Sequence, residues 1–159
     1  MLDSLKRLAE NTINLDVNTV SVSVFAIPKI KQFIIRLNRI EQLYKEGLDV
    51  DDNVIGTYSY TTALLNGEES YIFNGLVSRK EVGEPYTLYD SGVFYDSFRV
   101  DIKKDGFVIV ANTSKEDGDL VDKFGEILGL TENSKYELGQ KMLPILRESI
   151  RRSILNEVL

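Results

Sequence analysis

Cysteine and histidine are both absent from the 159 residues, and no other feature of the chain excludes as much chemistry. Without a thiol there is no cysteine nucleophile, no disulfide framework and no thiolate metal ligand, and the redox compartment is left open. Without an imidazole no side chain titrates near neutrality in its ordinary state, so a Ser-His-Asp triad and a histidine-bearing zinc site are excluded as well. Tryptophan is also missing, and proline occurs three times. The eleven glycines fall into neither the dinucleotide-binding GxGxxG pattern nor a P-loop, so nucleotide chemistry loses its usual sequence support. Long apolar runs are lacking too. The most apolar stretch, Val20 to Leu37, is broken by Ser21, Ser23, Pro28, Lys29, Lys31, Gln32 and Arg36, whereas a spanning helix needs about 20 mainly apolar residues. The start, Met1 to Leu8, carries acid and base before any apolar run, so neither an export signal nor a membrane partner is expected.

What is present is an ordinary globular balance, 43% hydrophobic and 28% charged. At this length, residues 1–159 are expected to form one domain. Nineteen basic residues face twenty-five acidic ones, for a net charge of -6. That field repels phosphate backbones, and direct nucleic-acid binding is not expected.

Leu2, Leu5 and Leu8 suggest a short amphipathic helix fading into the β-branched, Asn-rich run Asn11 to Thr19. Val20, Val22 and Val24 alternate with Ser21, Ser23 and Phe25, which predicts a strand stopped by Pro28. Beyond it Ile30, Phe33, Ile34, Leu37, Ile40, Leu43 and Tyr44 recur at helical spacing up to Gly47. Thr61 to Leu65 allows a short helix, and Asn66-Gly67 and Asn74-Gly75 are turn dipeptides. Asp90 is a candidate cap for a short helix over Val93 to Ser97. Phe98, Val100 and Ile102, the turn Lys104-Asp105-Gly106, then Phe107 and Ile109 predict a hairpin. Leu120 to Leu128 has helical spacing closed by Gly129, and Lys135 to Leu159 reads as a long helix in which Pro144 predicts a kink or a restart near Leu143. The expected class is α+β, an antiparallel sheet with a central hairpin packed by a helix of the first half and a long carboxyl-terminal helix.

Three features carry possible chemistry. Asp49, Asp51 and Asn53 space oxygens like the start of a calcium loop, but Val54 and Tyr60 stand where an EF-hand needs Gly and Glu, so the segment reads as a solvated turn. Glu116, Asp117 and Asp119 form a second acidic run of the same kind; an enzyme using only carboxylates and a metal is the weakest of the readings carried. Of the fifteen aromatics, Tyr58, Tyr60, Tyr71, Phe73, Tyr86, Tyr89, Phe94, Tyr95 and Phe98 crowd the middle third; without cationic partners they read as core and interface packing. In the last helix Leu138, Met142, Leu146, Ile150, Ile154 and Val158 form a stripe flanked by Arg147, Arg151 and Arg152. That face is either a core-packing face with solvated charge or an interface. Arg147, Ile150, Arg151, Ile154 and Val158 are its candidate interface residues.

Gly56, Tyr58, Ser59 and Thr61, then Leu88, Asp90, Gly92, Phe94, Ser97 and Phe98, then the Asp105-Gly106-Phe107 turn and Phe124-Gly125 occur in an order similar to the virion morphogenesis and tail-completion proteins of tailed phages. The resemblance covers roughly residues 30 to 130. It implies a non-catalytic structural subunit without cofactor, metal or catalytic residues, located in the virion after assembly in the host cytoplasm. Its partners would be other copies of itself in a ring and neighbouring portal, connector or tail proteins of the neck or tail end. The motif residues would be fold-making: a small Ser91 and Gly92 let the chain turn into the short helix, and Ser97 is placed to satisfy backbone near the first hairpin strand. The rival expectation is a soluble phage assembly chaperone or binding module acting as monomer or dimer.

Overall fold

The computed structural model describes residues 2–66, 72–73, 76–77 and 81–155. The Gly67 and Asn74-Gly75 turns, Tyr71 and Val158 lie outside the described residues. The first departure from expectation comes early. Helix α1 spans Leu2–Ile13, and the Val/Ser alternation that reads as a strand is helix α2, Val17–Phe25. Asp16 decides it: its carboxylate accepts from the Asn18 amide at 3.0 Å and from the Thr19 hydroxyl, satisfying donors at the helix start. Val20 and Val24, four apart, then both reach the core, which a strand alternation does not distinguish from a helical face.

Pro28 opens α3, Pro28–Arg36, at a position where a missing amide costs nothing. The helix continues as a π-helix over Leu37–Glu46 and ends where expected, at Gly47 with φ +62°. Glycine is required there twice over, since a Cβ would also stand 2.5 Å from Pro85 Cβ. The π-helix buries Leu37 and Leu43 together with Asn38 and Gln42. The two amides are put to use: Asn38 donates to the Ile127 carbonyl at 3.1 Å, and Gln42 accepts from the Thr131 amide at 3.1 Å while donating to the Asp49 carbonyl at 3.2 Å. Such bonds offset the cost of taking an amide out of water and fix the 127–131 segment against the helix.

Helix α4 is Tyr60–Asn66, followed by the two-residue strands β1, Ile72–Phe73, and β2, Leu76–Val77. Helix α5 is Val93–Asp96. The cap position itself is occupied by Gly92 at φ +86°, two residues after Asp90, and this left-handed turn leads the chain into the helix. Strands β3, Arg99–Lys103, and β4, Gly106–Val110, form the expected hairpin, with Val100 opposite Ile109 and Ile102 opposite Phe107. After the short ladder of β5, Ser114–Lys115, with β6, Gly118–Asp119, helix α6 covers Leu120–Phe124. It stops at Gly125 and not at Gly129, because Gly125 takes φ +76° and ψ −155°, a conformation that leaves the helix and is nearly reserved for glycine.

Helix α7 runs unbroken over Glu132–Leu155. It begins three residues before the expected Lys135, where Thr131 Oγ1 accepts from the Ser134 amide at 3.2 Å. The expected restart at Pro144 does not occur. Gln140 and Pro144 are both exposed, so the bond that the missing amide leaves open lies on the solvent side of the helix.

The architecture is therefore α+β, its antiparallel strands arranged among the described residues as three separate pairs. Helix α2 lies on β4, β3 and α7; α3 lies on β3 and α7; α1 lies on α7. The buried side chains form one cluster that joins Ile30, Ile34 and Leu37 to Val100 and Ile109 of the hairpin and to Leu138 and Met142 of α7. Each such aliphatic residue contributes about 1.5–3 kcal/mol by leaving water. Phe25 closes the α2 side, its ring edge-on to Phe107 at 4.9 Å. No described helix is long and apolar enough to cross a membrane.

Candidate functional site

The sequence motifs converge on one region, where the chain reverses between residues 56 and 58 and residues 85 and 98. Gly56 accepts from the Tyr86 amide at 2.9 Å, and a Cβ on Gly56 would stand 2.5 Å from the Tyr86 ring. Tyr58 is buried against Tyr86, with ring centroids 4.8 Å apart. Thr87 is the polar centre. Its amide donates to Tyr58 Oη at 3.2 Å, its hydroxyl accepts from the Tyr89 amide at 3.2 Å, and its carbonyl accepts from the Tyr95 hydroxyl. Burial pushes the Tyr95 phenol far above its usual range, with Tyr58 and Tyr44 adding to the effect, so it remains a hydrogen-bond donor throughout ordinary pH.

The other motif residues shape the backbone. Ser59 Oγ accepts from the Thr62 amide at 3.2 Å at the start of α4, in whose first turn Thr61 is exposed. Leu88 takes φ +53°, and Gly92 is buried at φ +86°. Between them Asp90 is exposed. Phe94 and Phe98 are buried edge-on to each other at 5.0 Å, and Phe94 also meets Tyr95. Ser97 Oγ donates to the Phe94 carbonyl and accepts from the Asn112 amide, fastening α5 to the end of β4. Gly125 lies apart from this group, as the terminator of α6.

The described candidate interface residues, Arg147, Ile150, Arg151 and Ile154, sit on the second half of α7. Ile150 and Ile154 are half-buried, and the Ile154 carbonyl accepts from Asn11 of α1 at 2.8 Å, so the chain's own first helix covers part of this stripe. Arg147 and Arg151 are exposed. Glu148 gathers Arg151 at 3.1 Å and Arg152 at 2.8 Å, and these bonds hold its carboxyl down at about 2. The basic cluster is in this way partly neutralised from within the helix.

Of the acidic runs, Asp49 spends its carboxylate on the amides of Asp51 and Asn53, both at 2.9 Å, in a self-contained turn. Asp119 likewise caps α6 through the Val121 amide at 2.8 Å, and Asp117 pairs with Lys123 at 2.6 Å. No group of three acidic side chains placed to hold a metal ion occurs among the described residues. An open cleft of about 320 Å³ lies between the α1–α2 junction and α7, lined by Asn11, Asn14, Asp16, Thr19 and Ser153 with Leu15 and Val20.

Sequence reasoning passed over Thr87, Asn38, Gln42 and Arg39, whose guanidinium donates to the Tyr95 carbonyl at 2.7 Å. Nothing in the local pattern marks them, because each has a partner 29 to 89 residues away, Tyr58 for Thr87, Tyr95 for Arg39, Ile127 for Asn38 and Thr131 for Gln42, while Tyr89 and Tyr95 around Thr87 and Asp49 near Gln42 are closer in sequence. Compared with protein-family models, with curated proteins and with solved structures, the chain matches none.

Proposed function

We propose that the chain is a non-catalytic structural subunit of a tailed-phage virion, forming part of the ring that joins head to tail or completes the tail. Its partners are further copies of itself and the adjoining portal, connector or tail proteins. The observation that carries this reading is the ordered set of motifs at Gly56 to Thr61, Leu88 to Phe98 and Phe124-Gly125. The physical work of those residues is consistent with it. Gly56, Gly92 and Gly125 all hold positive φ at points where the chain changes direction, and Tyr58, Phe94 and Phe98 fill the core beneath. A cyclic assembly built from such a subunit uses two different patches per copy.

Light scattering of the purified chain over a concentration series tests the reading. A discrete oligomer or an open polymer is the expected result. A strict monomer at every concentration would favour a soluble assembly chaperone or binding module instead.

A further inference from the structure

We propose that neighbouring copies join by strand addition, the β4 edge of one copy pairing with the β3 edge of the next. The inference rests on the ring reading above and deepens it by naming the contact. It starts from the hairpin register. Lys103 opposes Gly106 across a two-residue turn, so Lys103–Gly106, Asp101–Val108 and Arg99–Val110 are the hydrogen-bonded pairs. The backbone N–H and C=O groups of Val100 and Ile102 therefore point outward from β3, and those of Phe107 and Ile109 outward from β4. Among the described residues neither strand has a second strand beside it, and none of these four residues bonds to the backbone of another element. Both edges are open, a state that folded proteins ordinarily cover or guard.

The two edges differ in charge, and the difference selects the occupant. On the face away from the core β3 carries Arg99, Asp101 and Lys103, while β4 carries Gly106, Val108 and Val110 and has no charged residue. Antiparallel pairing of β3 with β3 of a second copy about Asp101 would set Arg99 opposite Lys103 twice, which is repulsive. Pairing β4 with β4 leaves both β3 edges unsatisfied. Only β4 against β3 of the next copy satisfies every edge, places each β3 charge beside an uncharged residue, and repeats a side-chain match that the hairpin already makes internally. Keeping all side chains on their present faces and pairing both outward residues of each strand fixes the register, with Ile109 opposite Val100 of the next copy and Phe107 opposite Ile102. The contact is heterologous and propagates until it closes into a ring.

In that register Val108 of one copy and Asp101 of the next form a non-hydrogen-bonded pair with Cα atoms about 4.5 Å apart, within reach of a disulfide. The native chain has no cysteine, so single substitutions give unique thiols. Val108→Cys and Asp101→Cys proteins, each checked for native circular dichroism, are mixed, oxidised and run on a non-reducing gel. The expected result is a covalent dimer in the mixture and none in either protein alone. Val110→Cys with Arg99→Cys is the second pair, should one of the first fold poorly. Light scattering on the unmodified chain separates the two claims. An oligomer that gives no mixed cross-link at either pair, or that cross-links Val108→Cys to itself, overturns strand addition and leaves the ring reading standing. A strict monomer overturns both.

Discussion

The Ser97 hydroxyl joins the end of α5 to Asn112, fifteen residues further along, donating to the Phe94 carbonyl at 2.6 Å and accepting from the Asn112 amide at 2.8 Å. One side chain thus closes the last turn of α5 and pins the connection that leaves the hairpin. The Ser97→Ala protein is expected to lose about 1 kcal/mol, since Asn112 is exposed and water replaces part of what is lost. Urea unfolding measures it, and an unchanged midpoint would show that the bridge contributes nothing.

Gly92 is buried and left-handed at φ +86° at the entrance to α5. Any Cβ there costs about 1–2 kcal/mol in backbone strain, and a β-branched side chain is the most restricted in that conformation. We expect Gly92→Ala to fold with a lowered thermal midpoint and Gly92→Val to fold poorly. A Gly92→Val protein with the parent's midpoint would contradict the turn geometry.

Gln42 is 1% exposed and holds the Thr131 amide and the Asp49 carbonyl at once. Replacing it by Leu keeps the volume but strands both groups, at about 1–3 kcal/mol for each that water cannot reach. The expected signature is loss of stability together with faster amide exchange at Thr131, read by NMR. Lower stability without a change at Thr131 would point to packing alone.

Glu148 supplies a pH marker. Its carboxyl lies at about 2, against 4.5 when unperturbed, chiefly through the bond from Arg151 and then that from Arg152. A group depressed in the folded state stabilises above its unfolded value, and the contribution fades as pH falls from about 4.5 through about 2. Because the pair is exposed, its weight in overall stability is small. The check is an NMR titration of the side-chain carboxyl, in which Arg151→Gln and Arg152→Gln together should return the midpoint toward 4.5.

How far the sequence could be read depended on the range of the forces involved. The hairpin was legible because its alternation and the Lys104-Asp105-Gly106 turn are local, and α3 because its apolar face repeats through Leu43 to a glycine stop. The strand expected at Val20 failed although Asp16 was in plain view as a cap, since alternating Val and Ser satisfy a period of two and a spacing of four equally well. The helix expected up to Gly129 failed because Gly125 was read as part of a motif and not as a terminator. Of the site, the motif glycines and Ser97 were legible as backbone devices. The hub at Thr87, the buried amides of the π-helix and the open strand edges were not, because each is defined by partners, or by their absence, in three dimensions.

Pro144 has a kinetic consequence. Ahead of it α7 anchors Ser134, Leu138 and Met142 in the core, and beyond it Leu146, Ile150 and Ile154 are only half-buried. With one ladder bond missing at the boundary, the helix is built as two cooperative segments of unequal depth. Deuterium should therefore enter the amides after residue 145 through a local opening that leaves the first three turns protected, so that the far end of α7 can detach and redock without unfolding the subunit.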